Sequence, residues 1–282
     1  MIWQVPYQPA VGASHLPVEV LTFADLRQMD RSGRRRGLQR PTFHVFALVE
    51  AGAGTHRADF VDYDLLPGSV AWLRPGMVHA WTDVDEVQGR LVLFTATAAA
   101  VADSLSRSGR PITWHLGAEQ FALARSAVNH LAVEHEVAVA NPVLSRPAVL
   151  RHVLAGLLLR VAPVQTTVIR ASATSLCGEF ERLLEEHVVE RRGTAWYAAQ
   201  LGCSARTLNR ATQATFGRSA KQLADERIAL EAKRLLAYTH LTTARIATRV
   251  GFDDPGNFTT FFRRNAGTTP YIWRSQEQRT QP

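Results

Sequence analysis

The 282-residue chain predicts an α+β protein: a small β-barrel or jelly roll with flanking helices, then an all-α domain in which two helix-turn-helix motifs are joined by a long helix. Three observations carry this. Residues 41–97 alternate short β-rich runs with glycine turns, the texture of small barrels. Between Tyr197 and Arg274 one short pattern is written twice. Charge is also divided unevenly: from Arg191 onward there are 15 Lys and Arg against 6 Asp and Glu, whereas residues 1–190 carry 17 against 19.

In chain order, the β-rich runs are Phe43 to Val49, Asp59 to Leu65, Val70 to Leu73 and Arg90 to Phe94. Gly52-Ala-Gly54, Pro67-Gly68 and Pro75-Gly76 punctuate them, because proline removes a ladder donor and glycine turns cheaply. Arg34-Arg-Arg36, beside Gly33 and Gly37, reads as a solvated loop. Three helices follow, each with apolar residues at three- and four-residue spacing. The first, Gly117 to Val137, carries Phe121, Leu123, Val128 and Leu131; the second starts at Ser145-Arg-Pro147 and carries Leu150, Val153, Leu154, Leu157, Leu158 and Val161. The third, Ser172 to Glu190, carries Leu176, Phe180, Leu183, Leu184 and Val188. Pro163-Val-Gln-Thr-Thr167 reads as an exposed linker. The division expected is therefore 1–162, a linker at 163–171, a helical domain at 172–275 and a polar, frayed tail at 276–282.

The repeated pattern sets Ala198-Ala-Gln-Leu-Gly202-Cys-Ser204 before Leu208 and Arg210, and Ala247-Thr-Arg-Val-Gly251-Phe-Asp-Asp254 before Phe258 and Phe261. In the first copy Thr194 is expected to cap a helix through Leu201 whose apolar side is Trp196, Ala199 and Leu201. Gly202 would end it at positive φ and Ser204 would cap the next helix. In the second, Thr242 caps Ala244 to Val250, Gly251 turns, and Asp254-Pro255 restart the chain. Phe258, Phe261 and Phe262 fall at helical spacing. Between the copies, Ser219 to Ala237 lacks Gly and Pro and sets Leu223, Ile228, Leu230, Leu235 and Leu236 among charges. Nineteen residues at ~1.5 Å give a rod of roughly 28 Å, close to the ~34 Å between successive major grooves. A helix-turn-helix places its second helix in such a groove, and the basic second half suits a polyanion.

Composition bounds the alternatives. An apolar content of 46% suffices for two globular domains. The run Val153 to Leu159 stops at Arg160, far too short to span a bilayer. The N-terminus, Met-Ile-Trp-Gln-Val-Pro, lacks the basic and apolar regions of a signal peptide. Cys177 and Cys203 have no zinc spacing, so a reduced, cytoplasmic protein without membrane contact is expected.

The stretch Ile246-Ala-Thr-Arg-Val-Gly-Phe-Asp-Asp-Pro-Gly-Asn-Phe-Thr-Thr-Phe-Phe-Arg-Arg264, with Gly267-Thr-Thr-Pro270 and Trp273-Arg274, resembles the AraC/XylS-type transcriptional regulators over about the last hundred residues. The resemblance implies a double helix-turn-helix that binds double-stranded DNA. It also implies base-reading positions at Arg206, Asn209 and Arg210 in the first recognition helix and at Pro255, Gly256, Asn257 and Thr260 in the second. Arg210 suits guanine and Asn209 adenine. Thr260 stands where the family often has arginine, and Pro255 and Gly256 offer no side-chain hydrogen bond, so the second helix is expected to be the weaker reader. Thr212 replaces a frequent aromatic, a space that Phe216 could fill.

Leu66-Pro-Gly-Ser-Val-Ala-Trp-Leu-Arg-Pro-Gly-Met-Val-His79-Ala-Trp81 resembles the cupin-like sensor domain of the same regulators, over residues 15–100. It implies a small-molecule effector, with His44, Phe46, His79 and Trp81 facing its pocket. The resemblance further implies a homodimer through the helix at Gly117–Val137, and RNA polymerase as a partner. No catalytic set, metal or cofactor is expected, since Gly54-Thr-His56-Arg-Ala-Asp59 lacks the His-x-His pair of catalytic cupins. Two rivals stay open: a metal-dependent cupin enzyme with a DNA-binding tail, and a non-specific DNA binder.

Overall fold

A computed structural model describes residues 3–9, 16–30, 37–99, 111–141, 143, 146–162 and 171–280. The Arg34–Arg36 cluster, most of the expected linker and the last two residues lie outside that set. The chain divides into two compact units, Ile2–Val164 and Gln165–Pro282.

The first unit packs two five-stranded sheets. One holds β1 (Trp3–Val5), β3 (Gln39–Pro41), β8 (His79–Asp83), β5 (Gly54–Ala58) and β6 (Val61–Leu65), in that spatial order; the other holds β10 (Thr113–His115), β7 (Ser69–Leu73), β4 (His44–Ala51), β9 (Gln88–Phe94) and β2 (Val18–Thr22). Every pairing is antiparallel except β1 with β3. Strand β4 is buried on both faces, and alternation sorts its side chains. Val45, Ala47 and Val49 join Ala58, Leu65, Ala71, Leu73, Trp81 and Leu91 in the core between the sheets. Phe46 and Leu48 point the other way and pack with Val70, Trp72, Val92 and Phe94.

That outer face is covered by α2 (Ala118–Ala140) and α3 (Pro147–Val161), which contribute Ala124, Val128, Leu131, Leu150, Leu154, Leu157 and Leu158. Burying each large aliphatic chain contributes about 2 kcal/mol. Between the sheets, α1 (Phe23–Met29) adds Phe23; a capping box of Thr22 with Asp25 starts it. The β5–β6 hairpin turns at Asp59 and Phe60, both at positive φ (45° and 74°), where Asn-Gly is the usual choice. Asp59 is anchored there, its N–H donating to the Val78 carbonyl at 2.9 Å.

The second unit contains seven helices among the described residues: α4 (Ala171–His187), α5 (Thr194–Gln200), α6 (Ala205–Phe216), α7 (Ala220–Tyr238), α8 (Thr243–Arg249), α9 (Pro255–Ala266) and α10 (Pro270–Thr280). Helix α7 is the axis of one core that takes Phe180 and Leu184 from α4, Tyr197 from α5, Leu208 from α6, Ile246 from α8 and Phe258 and Phe262 from α9. The expected frayed tail is helical through Thr280. Its sequence is polar but free of Gly and Pro, and Arg274 pins the helix by donating to the carbonyls of Leu236 at 3.1 Å and Leu241 at 2.6 Å. No helix among the described residues is long and apolar enough to cross a membrane.

Candidate nucleic-acid interface

The two helix-turn-helix copies share their backbone bonding at a constant offset. Leu201 N–H donates to the Tyr197 carbonyl at 3.0 Å, Gly202 to Ala199 at 3.1 Å and Cys203 to Ala198 at 2.9 Å. The counterparts are Val250 to Ile246 at 3.0 Å, Gly251 to Thr248 at 3.1 Å and Phe252 to Ala247 at 2.9 Å. Both glycines are left-handed, with φ of 61° and 81°. Ser204 caps α6 by accepting from Thr207 N–H at 3.0 Å; Thr242 accepts from Arg245 N–H, and Asp254 from Asn257 N–H at 2.7 Å. Proline at the first position of α9 leaves no orphan donor there.

Two details of the first copy differ from expectation. Thr194 is not a cap: Gly193 occupies that place, with no side-chain bond, and Thr194 is already helical. The face of α5 buried in the core is Tyr197 and Ala198, while Ala199 is exposed. A helix of two turns offers too few positions for spacing to decide its inner face.

Arg206 and Arg210 stand exposed one turn apart on α6, and neither is engaged by another described side chain. Both keep a full guanidinium fork for an acceptor pair. Asn209, expected to present its amide to adenine, is instead half-buried, and its Oδ1 accepts the N–H of Ala220 at 3.0 Å. Its acceptor is committed inside the unit. Thr212 is fully buried and its hydroxyl donates to the Asn209 carbonyl, while Phe216 packs against the core beside it. In the second copy Pro255, Gly256, Asn257 and Thr260 are all exposed at the start of α9. Behind them Phe252 packs on Phe258 and Phe261, and the Arg192 guanidinium lies 3.9 Å over the Phe252 ring.

The four residues expected around one pocket fall on opposite faces of a sheet. His44 and Phe46 lie on the helix-covered side, where His44 stacks on Phe94 at 4.8 Å and its Nδ1 accepts from Trp72 Nε1 at 3.3 Å. Indole only donates, so the neutral ring of His44 carries its proton on Nε2. His79 and Trp81 lie between the sheets with His56, which sequence reasoning weighs as a metal ligand and does not assign to the pocket. His56 Nε2 and His79 Nδ1 are 3.2 Å apart, Trp81 lies 4.4 Å from the His56 ring, and His56 Nδ1 has no hydrogen-bond partner among the described residues. Burial drives all three histidines toward the neutral form: His44 falls to about 3, helped by Arg74, and His56 to about 3, against the pull of Asp62. His79 also falls well below its usual value, through burial and then the neighbouring His56. Among the described residues no three His, Cys, Asp or Glu side chains cluster as metal ligands.

Residues 26–136 match a family model described as an AraC-like ligand binding domain, and residues 197–276 match a helix-turn-helix domain. The HTH-type transcriptional activator RhaS of Escherichia coli strain SMS-3-5 is 24% identical over 236 residues, 81% of this chain and 84% of that one. The RhaS of Klebsiella pneumoniae strain 342 is 25% identical over the same shares. Among solved structures, ToxT of Vibrio cholerae O395 is 12% identical, covers 83% of this chain and 89% of its own, and superposes with a TM-score of 0.41. The DNA-binding domain of AdpA, solved with a target DNA, is 28% identical over 38% of this chain and 96% of its own, with a TM-score of 0.35.

Proposed function

The chain belongs to the AraC-type transcriptional regulators, an AraC-like ligand-binding domain preceding a helix-turn-helix domain, and from that premise we propose that it reads a two-box site in double-stranded DNA. The observation that carries this is the pair of unengaged, exposed arginines on α6. Arg206 and Arg210 are the main base readers, each suited to guanine O6 and N7. Asn257 and Thr260 read the second box with less discrimination, Pro255 and Gly256 giving α9 shape but no side-chain hydrogen bonds. The test is selection of sites from random duplexes by the full-length protein at near-physiological salt. Enrichment of two short boxes about one helical turn apart is expected; salt-sensitive binding with no enriched sequence would sink the reading in favour of a non-specific binder.

The chemistry proposed is binding rather than catalysis, in the cytoplasm, with no metal or cofactor; the named relatives are activators. The effector site proposed lies between the sheets at His56, His79 and Trp81, where one ring nitrogen lacks a partner among the described residues. The companion test is a melting-temperature screen of small neutral molecules on the wild type and on His79→Gln, and equal shifts in both would remove the site from that face. A homodimer is proposed through α2, whose Leu123, Val133 and Val137 are exposed. Sedimentation equilibrium should show Val133→Glu shifted to monomer. RNA polymerase is the remaining proposed partner, checked by transcription in vitro from a promoter carrying the selected site.

A further inference from the structure

Helix α7 is joined to each recognition helix by a polar bond as well as by apolar packing. At its start, Ser219 and Gln222 form a capping box. The Ala220 N–H, an orphan of the first turn, is satisfied by Asn209 of α6 at 3.0 Å. The recognition helix therefore supplies part of the cap of the helix that carries it. One turn further on, Asp225 is a buried carboxylate with two cations. Lys221 of the same helix holds Oδ1, and Arg264 of α9 reaches Oδ2 at 3.2 Å. Leu208 of α6 and Phe258 and Phe262 of α9 pack in the same core as α7. Apolar burial is non-directional, whereas a hydrogen bond weakens steeply with misalignment. The two polar bonds therefore add a directional constraint on the roll of each recognition helix about α7 to that of the packed core.

We propose that Asn209 and Asp225 are positioning residues that make the spacing between the two DNA boxes a recognised feature of the target. The proposal rests on the two-box reading. One base pair added between boxes moves the second by about 3.4 Å and turns it by roughly 34°. A protein whose reading helices are held in fixed roll cannot follow that step. One whose latches are open can.

The experiment uses the full-length protein and duplexes carrying the selected boxes, with the intervening length varied one base pair at a time. Wild type should lose about tenfold in affinity for one base pair too many or too few, comparable to a mismatched base pair. Arg264→Gln alters a side chain 69% exposed and so leaves folding intact. With it and with Asp225→Asn, the penalty should fall to about threefold or less, with the preferred bases in each box unchanged. Asn209→Ala should broaden spacing in the same way. Spacing profiles as sharp as wild type in Arg264→Gln and Asp225→Asn overturn the assignment. So does an Asn209→Ala protein whose preferred base changes while its spacing stays sharp, since Asn209 is then a reader. A wild type that selects no pair of boxes defeats the two-box reading itself, a failure distinct from the other two.

Discussion

The two helix-turn-helix copies have the same turn and different surroundings. A Cβ at Gly202 would meet no heavy atom within 4 Å, whereas one at Gly251 would lie 2.4 Å from the Val189 carbonyl oxygen. The first copy ends in an open turn and carries free arginines on its second helix. The second is braced from behind by aromatic rings and the Arg192 stack, and its second helix begins with Pro255 and Gly256. Repeated backbone geometry thus gives each copy the same turn, while side chains that the repeat does not constrain decide what each second helix presents.

The sharpest way to break that comparison is Gly251→Ala against Gly202→Ala. Both impose left-handed strain of about 1–2 kcal/mol; only the former adds a backbone clash, for a total of about 2–5 kcal/mol. Urea denaturation that gave equal losses would show that the two turns are equivalent after all. An acid titration contrasts the two units instead. His44, His56 and His79 have folded values below the 6.5 of the free side chain, so their contribution is complete above that pH and is lost as pH falls below it. At pH 5 His44 and His56 should each cost the first unit about 2 kcal/mol, and His79 acts in the same direction. Melting followed separately by Trp72 and Trp196 environments should show the first unit failing earlier in acid. On DNA, Arg210→Ala should cost about 1–3 kcal/mol on the preferred site and relax one base position, while Thr260→Ala should cost less; competition binding decides. Smallest is the pair of caps: Ser204→Ala and Asp254→Ala should each lose about 1 kcal/mol in thermal melts, the former without changing base preference.

What was legible in the sequence was local. Gly251-Phe-Asp-Asp-Pro255 encodes a turn, a cap and a helix start within five residues, and the structure forms all three. The one extra residue that separates glycine from cap in the second copy, Gly251 to Asp254 against Gly202 to Ser204, was equally visible. Strands β1, β2, β3, β5 and β10 were not, being runs of three to five residues; they exist because a neighbouring strand pairs with them. Alternation along β4 and β8 correctly put His44 with Phe46 and His79 with Trp81. Which side of its sheet each pair faces depends on stacking two sheets in space, and one strand's pattern contains no such information. The bond between Asn209 and Ala220 was hidden for the same reason: it is set by the packing of α6 on α7 rather than by spacing.

The contact of Val189 with Gly251 also bears on how the second unit acquires its structure. It joins positions about sixty residues apart, and Arg192 on Phe252 closes the same loop. Such a closure is entropically slow and forms only after most of the unit has been made. During synthesis Val189 and Arg192 therefore meet their partners only once the second motif emerges. Neither half should survive alone, and calorimetry of the second unit should show one heat-absorption peak, with a chain ending at His240 giving none.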